Sequence, residues 1–126
     1  TLREAGSRLD QASGRRVPLA VKIAPDMSEE EVGLVATSIA TNEMDAVIAT
    51  NTTIARDAVV GLPHANEQGG LSGRPVFEAS NQVIRALRRH LPQLPIIGVG
   101  GIDSGEAARA KLEAGADLVQ LYTGFI

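Results

Sequence analysis

Two hydrophobic periods alternate along this chain. Short apolar segments at 17–24, 45–50, 95–99 and 117–122 are separated by stretches in which apolar residues return every third or fourth position. These are the patterns of β-strand and amphipathic helix. Residues 1–14 read as the tail of a helix, with Leu2, Ala5 and Leu9 on one face and Ser13-Gly14 at its end. Val17–Ala24 is the first strand: Val17, Leu19, Val21 and Ile23 share one face, and Ala20, Lys22 and Ala24 the other. Ser28 with Glu31 forms a capping box, and Val32, Val35, Ala36, Ile39 and Ala40 make the buried stripe of a helix to about Asn42. Asp45–Thr50 is the second strand. From Asn51 to Pro75 runs a glycine- and proline-rich stretch with few apolar residues, a length of loop that in a compact α/β chain is functional or disordered. Val76, Val83, Ile84, Leu87 and Leu91 then mark another helix, after which Pro92 and Pro95 punctuate the return to a third strand.

The densest signal lies in Pro95–Ile126. Pro95–Val99 is apolar without alternation, as a parallel strand covered on both faces is. Ser104 caps a helix through about Lys111, Gly115 stands where a left-handed C-terminal cap is wanted, and Asp117–Tyr122 resumes the strand pattern. Gly98, Gly100 and Gly101 end the first of these strands, and Tyr122-Thr123-Gly124 the second. Glycines between a strand and the following helix let backbone N–H groups converge on an anion. Two such turns on adjacent strands match the phosphate site of a (β/α)8 barrel. Tight turning alone would account for either run, but poorly for two side by side. A dinucleotide fold fits less well, because Gly98-Val99-Gly100-Gly101-Ile102-Asp103 lacks the last glycine of G-x-G-x-x-G.

The strand–helix alternation runs without a shift in composition, so residues 1–126 read as a single domain with no low-complexity segment. That length is about half of the ~250 residues typical of a (β/α)8 barrel. Twelve basic against fifteen acidic residues, a net charge of −3, give no electrostatic reason to bind nucleic acid or an anionic membrane. Arg85, Arg88, Arg89 and His90 cluster at one helix end, where they complement the dipole. The chain has no cysteine, which excludes disulfides, thiolate nucleophiles and cysteine metal sites, and two isolated histidines make no metal set. No apolar run approaches the ~20 residues of a membrane-spanning helix and no signal peptide is present, so the chain by itself is expected to be soluble. It begins at Thr1 without a methionine and stops at Ile126 directly after a strand, as a chain cut at both ends would.

Few residues combine reactive chemistry with a telling position. Lys22 sits inside an apolar strand near its carboxyl end. A snorkelling amine is the bland explanation, but carboxyl-terminal strand ends form the active face of a barrel, where a fixed ammonium could stabilise an anionic ring or enolate. Thr50-Asn51-Thr52-Thr53 follows the second strand with amides and hydroxyls suited to a polar, planar ligand; a turn cap would explain one of them but hardly four. The glycines of Gly69-Gly70-Leu71-Ser72-Gly73 permit close approach of backbone to a ligand. Ser72 lacks the G-x-S-x-G spacing and a histidine partner, so it reads as loop structure or ligand contact, and His64 and Glu67 are expected to face solvent.

Val21-Lys22-Ile23-Ala24-Pro25-Asp26, Ala49-Thr50-Asn51-Thr52-Thr53, Gly69–Pro75, Ile97–Ile102 and Gly115–Phe125 together resemble the C-terminal half of the dihydroorotate dehydrogenases, in the class 2, quinone-using branch. The match covers nearly the whole chain in order. It implies an FMN-binding (β/α)8 TIM barrel of which this chain supplies strands 5 to 8. It further implies that Lys22 and Thr50 contact the flavin ring, that Gly73 lies on the FMN, and that Gly101, Tyr122 and Thr123 hold its phosphate. Asn51 and Thr52 would bind dihydroorotate or orotate. The implied reaction is oxidation of dihydroorotate to orotate in pyrimidine synthesis, with hydride passing to FMN and electrons then to a quinone. The family's catalytic base, a serine in the first half, has no counterpart here. Also absent are the first four strands and the N-terminal helices that associate with a membrane and serve the quinone, in a bacterium at the cytoplasmic side of the inner membrane. The parent is therefore expected to be a peripheral membrane enzyme, and this piece alone inactive, in need of the other half-barrel or of self-association. Two other readings remain: a phosphate-binding barrel enzyme without flavin, and a non-catalytic half-barrel module.

Overall fold

The computed structural model describes all 126 residues. Helix starts are written in the sequence as side chains that bond otherwise unpaired amides. Thr1 and Glu4 form a reciprocal capping box at the head of α1 (Leu2–Ser13), and Ser28 and Glu31 do the same for α2 (Glu29–Thr41). Ser104 accepts from the Ala107 N–H to start α4 (Gly105–Glu113). The third helix, α3 (Phe77–His90), instead grows out of a 3-10 turn, Arg74–Val76, in which Pro75 presets the backbone. Gly14, at φ 68°, ends α1 in the left-handed region as Ser13-Gly14 leads one to expect.

The strands β1 (Ala20–Ile23), β2 (Ala46–Ala49), β3 (Ile96–Val99) and β4 (Leu118–Gln120) form one parallel sheet in sequence order. That order, with a helix in each crossover, is the connectivity of consecutive units in a (β/α)8 barrel. The register aligns Val47 with Val21 and Ile96, and Ala49 with Ile23 and Gly98. These residues face the helices and join Val32, Ala36, Ile39, Val83, Ile84, Leu87 and Leu91 in the core. Ile84, Leu87, Ile96 and Val47 are completely buried; each such side chain contributes about 1.5–3 kcal/mol. Gly98 is required by this packing, since a Cβ there would stand 3.0 Å from Ala116 and 3.2 Å from Ile84. The other sheet face carries Ala20, Lys22, Ala46, Ile48, Ile97, Val99, Leu118 and Gln120, and no helix of this chain covers it.

The amino-terminal edge of the sheet is closed by two carboxylates. Asp45, just before β2, accepts from the Leu19 N–H at 2.8 Å and pairs with Arg3 and Arg16. The Leu19 bond does most to hold this carboxyl below its usual range, partial desolvation opposes it, and the two arginines add to the lowering. Asp117, just before β4, accepts from the Ile96 N–H at 2.7 Å and from Arg88 at 2.6 Å. Desolvation works to raise this carboxyl, but the Ile96 bond and Arg88 outweigh it and leave the pKa lowered. Arg88 also donates to the carbonyls of Gly115, Leu91, Pro92 and Leu94. One guanidinium thus ties the end of α3 and the start of β3 to the end of α4.

Several expectations need correction. The first strand does not begin at Val17: Pro18 has no N–H, the Val17 and Leu19 N–H groups bond the Asp10 and Asp45 carboxylates, and pairing starts at Ala20. The fourth strand stops at Gln120, because a 3-10 turn over Thr123–Phe125 follows. Leu2 and Leu9 are exposed, since α1 packs through Arg3 and Gly6 and buries no residue. Of the two alternatives for the 51–75 stretch, functional or disordered, the second fails, because the stretch is tied down along its length. Thr53 and Leu71 bridge it, Asp26 binds the Thr53 hydroxyl and the Ile54 N–H, and Arg56 binds the carbonyls of Glu67 and Gly69. Arg88 is a hub of specific bonds more than a dipole complement. No helix is long and apolar enough to cross a membrane.

Replacing Arg88 by Met keeps much of the packing volume but takes one of two partners from the Asp117 carboxylate and a donor from each of four carbonyls. We expect Arg88→Met in the full-length protein to lower unfolding stability by about 2–3 kcal/mol, read as a lower urea midpoint. An unchanged midpoint would show that the network is not a hub.

Candidate functional site

Parallel strands with same-side crossovers put every carboxyl end on one edge, and at that edge lies a cleft of about 230 Å³. Lys22, Thr50, Asn51, Thr52, Gly73, Gly101, Tyr122 and Thr123 all line it. The structure thus brings together the eight residues assigned to cofactor or substrate, from four strand ends and the long loop, while Thr53 and Gly69-Gly70 lie off the cleft lining. Ser72 lines the cleft as well, and Thr123 Oγ1 lies 3.0 Å from its hydroxyl, so the loop and the turn after β4 touch. His64 and Glu67 stay outside, exposed and paired with each other at 2.6 Å.

Each wall has a local cause. The peptide between Ala49 and Thr50 is cis, the Thr50 N–H donates to Val99 at 3.0 Å and the Asn51 N–H to Ile23 at 2.7 Å, so the segment after β2 is pinned to both neighbouring strand ends. Thr50 is buried, with its hydroxyl on the Asn51 carbonyl at 2.9 Å. Asn51 Oδ1 accepts from the Thr52 N–H at 2.9 Å, which leaves the carboxamide NH2 as a donor. Gly70 packs so closely on the Thr52 side chain that no larger residue would fit.

The turn after β3 needs both of its glycines. Gly100 and Gly101 have φ of 115° and 68°, and a Cβ would stand 2.8 Å from Val76 Cγ1 at the first and 2.5 Å from Phe77 Cβ at the second. The N–H groups of Gly100, Gly101, Thr123 and Gly124 donate to no other protein group. Four unused amides, the Thr123 hydroxyl and the Lys22 amine therefore border a cleft with no carboxylate in its lining. That donor set suits an anion. Lys22 is not buried, as its place in an apolar strand implied; it stands on the uncovered sheet face and opens to the cleft. No cluster of histidine and carboxylate side chains suited to a metal ion occurs.

Sequence reasoning passed over two contributors. Asp26, which anchors the loop that forms one wall, looks like an ordinary turn residue. Lys111, read as the end of a helix, is the lysine that is wholly buried, behind the Gly100–Gly101 turn. Its company comes from thirty or more residues away, and no local pattern announces it.

With that geometry in place, comparison with known proteins is specific. The sequence model of the dihydroorotate dehydrogenase family matches residues 4–126. Proteins named dihydroorotate dehydrogenase (quinone) from Burkholderia pseudomallei (strain 668) and Burkholderia mallei (strain SAVP1) are each 62% identical over 99% of this chain. The chain spans only 37% and 36% of their respective lengths. Among solved structures, Eimeria tenella DHODH superposes with a TM-score of 0.83 at 38% identity, both ligand-free and in complex with ferulenol. The match covers 89% of this chain and 30% of the ferulenol-bound one.

Gly101→Ala puts a methyl group into Phe77 at a backbone angle that disfavours any side chain. We expect this substitution in the full-length protein to weaken phosphate-ester binding at least about tenfold, measured by calorimetric titration. Unaltered affinity would show that the turn is not part of the site.

Proposed function

The chain belongs to the dihydroorotate dehydrogenase family. From that premise we propose that residues 1–126 are the C-terminal half of an FMN-dependent barrel that oxidises dihydroorotate to orotate in pyrimidine biosynthesis, with a quinone as electron acceptor. The carrying observation is the convergence of eight separately identified residues on one cleft edged by four unused amides.

The cleft residues fit a phosphorylated flavin. Gly100 and Gly101 form a turn that a side chain would force off Val76 and Phe77, and its unused donors, with Tyr122 and Thr123, match a phosphate. When bound, FMN supplies the hydride acceptor and the relay of electrons to quinone. The protein groups bind and orient. Gly73 would let the backbone lie against the cofactor, Thr50 is held by its N–H bond to Val99, and Lys22 would offer a positive charge to an electron-rich flavin ring. Asn51, with its NH2 free to donate, and Thr52 hold dihydroorotate or orotate by hydrogen bonds to its polar edge. The serine that takes the substrate proton belongs to the preceding half of the barrel, as does the region that meets the quinone at a membrane surface. That half also covers the sheet face bearing Lys22, Ile48, Ile97 and Leu118.

In the full-length protein, Lys22→Ala should lower dihydroorotate:quinone turnover by about 10²-fold, the scale of losing one oriented electrostatic partner, and reduce the flavin retained on purification. Normal rate and normal flavin absorbance would leave Lys22 without a role. The 126-residue chain on its own should show no turnover and, with Leu118 61% exposed on the open face, should not sediment as a folded monomer. A cooperative folded species of 13.2 kDa would refute that.

A further inference from the structure

Lys111 has no place in the chemistry described so far, yet it is the most completely enclosed cation in the molecule. Its side chain is fully buried, projecting from α4 under the first turn of α3. The amine donates to the Phe77 carbonyl at 3.2 Å, to Asn81 Oδ1 at 2.9 Å and to the Ser80 hydroxyl, and it stands 4.7 Å over the Phe77 ring. An ammonium has three N–H donors, and here three oxygens receive them. The Phe77 carbonyl and Asn81 Oδ1 can only accept, and the ammonium alone donates to all three oxygens at once.

None of the partners is a carboxylate, and Lys111 is in no salt bridge. A buried charge without a counter-ion is costly. Desolvation brings its pKa down from 10.5 to about 8. The charged groups that act on it are Glu78, which raises it, and Arg85, which lowers it; both lie on α3 and are bonded to each other at 3.0 Å, so they offset one another. The partners of Lys111 are also the back wall of the anion-binding turn. A Cβ on Gly101 would meet Phe77, and a Cβ on Gly100 would stand 3.2 Å from the Ser80 hydroxyl oxygen. The partners of the ammonium therefore back the two glycines whose own amides are unused, and the other two unused amides belong to the neighbouring turn after β4.

We propose that Lys111 is a positioning residue of the phosphate site, a buried cation that holds the Phe77–Asn81 turn behind Gly100–Gly101 and has the bound phosphate as its counter-ion. This rests on the reading of the cleft as a site for a phosphorylated flavin. Linkage then fixes the sign. A phosphate that favours the ammonium raises its pKa, and the ammonium strengthens phosphate binding by the same factor, about tenfold for every tenfold gain in the amine's proton affinity. That gain is complete below the free-site value and is lost as pH rises through it and through the raised value of the complex.

The test compares FMN with riboflavin, which lacks the phosphate, by flavin fluorescence on the full-length protein freed of flavin, at pH 7.5 and 9.5. The phosphate is a dianion throughout that range, so a change in the ratio of the two affinities reports on the protein. In the wild type, the preference for FMN should fall at least about fivefold between the two pH values. In Lys111→Met, FMN should bind about tenfold more weakly at pH 7.5, riboflavin as before, and the pH dependence should vanish. Equal weakening of both ligands in Lys111→Met would reduce the lysine to a packing role and overturn the proposal. So would a pH-independent preference in the wild type, which needs no variant to fold. A wild type that binds FMN no better than riboflavin would instead strike the phosphate reading of the cleft, and the proposal with it.

Discussion

Everything in this molecule follows from four strands running the same way with their crossovers on the same face. The arrangement gives the sheet two chemically different edges, because all the strands begin at one and end at the other. At the beginning edge, polar groups are consumed by structure: Asp45 and Asp117 each take the amide of the neighbouring strand, and Arg88 collects four carbonyls. At the ending edge the opposite holds, with amides after β3 and β4 that meet no protein acceptor. Stability and binding are thereby assigned to opposite ends, as barrel enzymes require.

How much of this was legible depended on the range of the cause. Helix starts are decided within four residues, and both Ser28–Glu31 and Ser104 act as their spacing indicates. The glycine turns were legible for the same reason, since a positive φ and a close approach leave few other residues possible. Strand lengths were not. Val17 and Tyr122 carry strand-forming side chains, but pairing needs a partner. Asp10 takes the amide of one, and the turn at Thr123 diverts the other. The stripe Leu2, Ala5, Leu9 misled because periodicity shows that a helix has an apolar face without saying what that face meets. Here α1 meets the rest of the chain through Arg3, paired with Asp45, and Gly6, packed on Leu19, and not through the Leu2–Leu9 stripe.

The two lysines show the same limit. Lys22, in an apolar strand, is open to the cleft, whereas Lys111, in the Ala110-Lys111-Leu112-Glu113 turn that looks like a solvated helix end, is enclosed. Strand alternation gave Lys22 its face, but whether that face is covered depends on what lies opposite. For Lys111 the deciding atoms are on α3, reached only when α4 folds back over it. A cation with neutral oxygen partners and no carboxylate arises from packing, and packing is not local.

The uncovered sheet face explains why site and scaffold cannot be separated in this protein. Lys22 and Gln120 lie both on that face and in the cleft lining, and Val99 shares the position as an apolar neighbour. A covering half must meet Ile48, Ile97 and Leu118 to remove apolar surface from water, and in doing so it walls the cleft from the other side. Excluding water there strengthens the field of Lys22 and of the unused amides toward a bound anion, because the effective dielectric falls. The same contact therefore completes the core and raises the binding strength of the site, so a change that loosens the packing of Ile48 or Ile97 acts on ligand affinity even though neither residue lines the cleft.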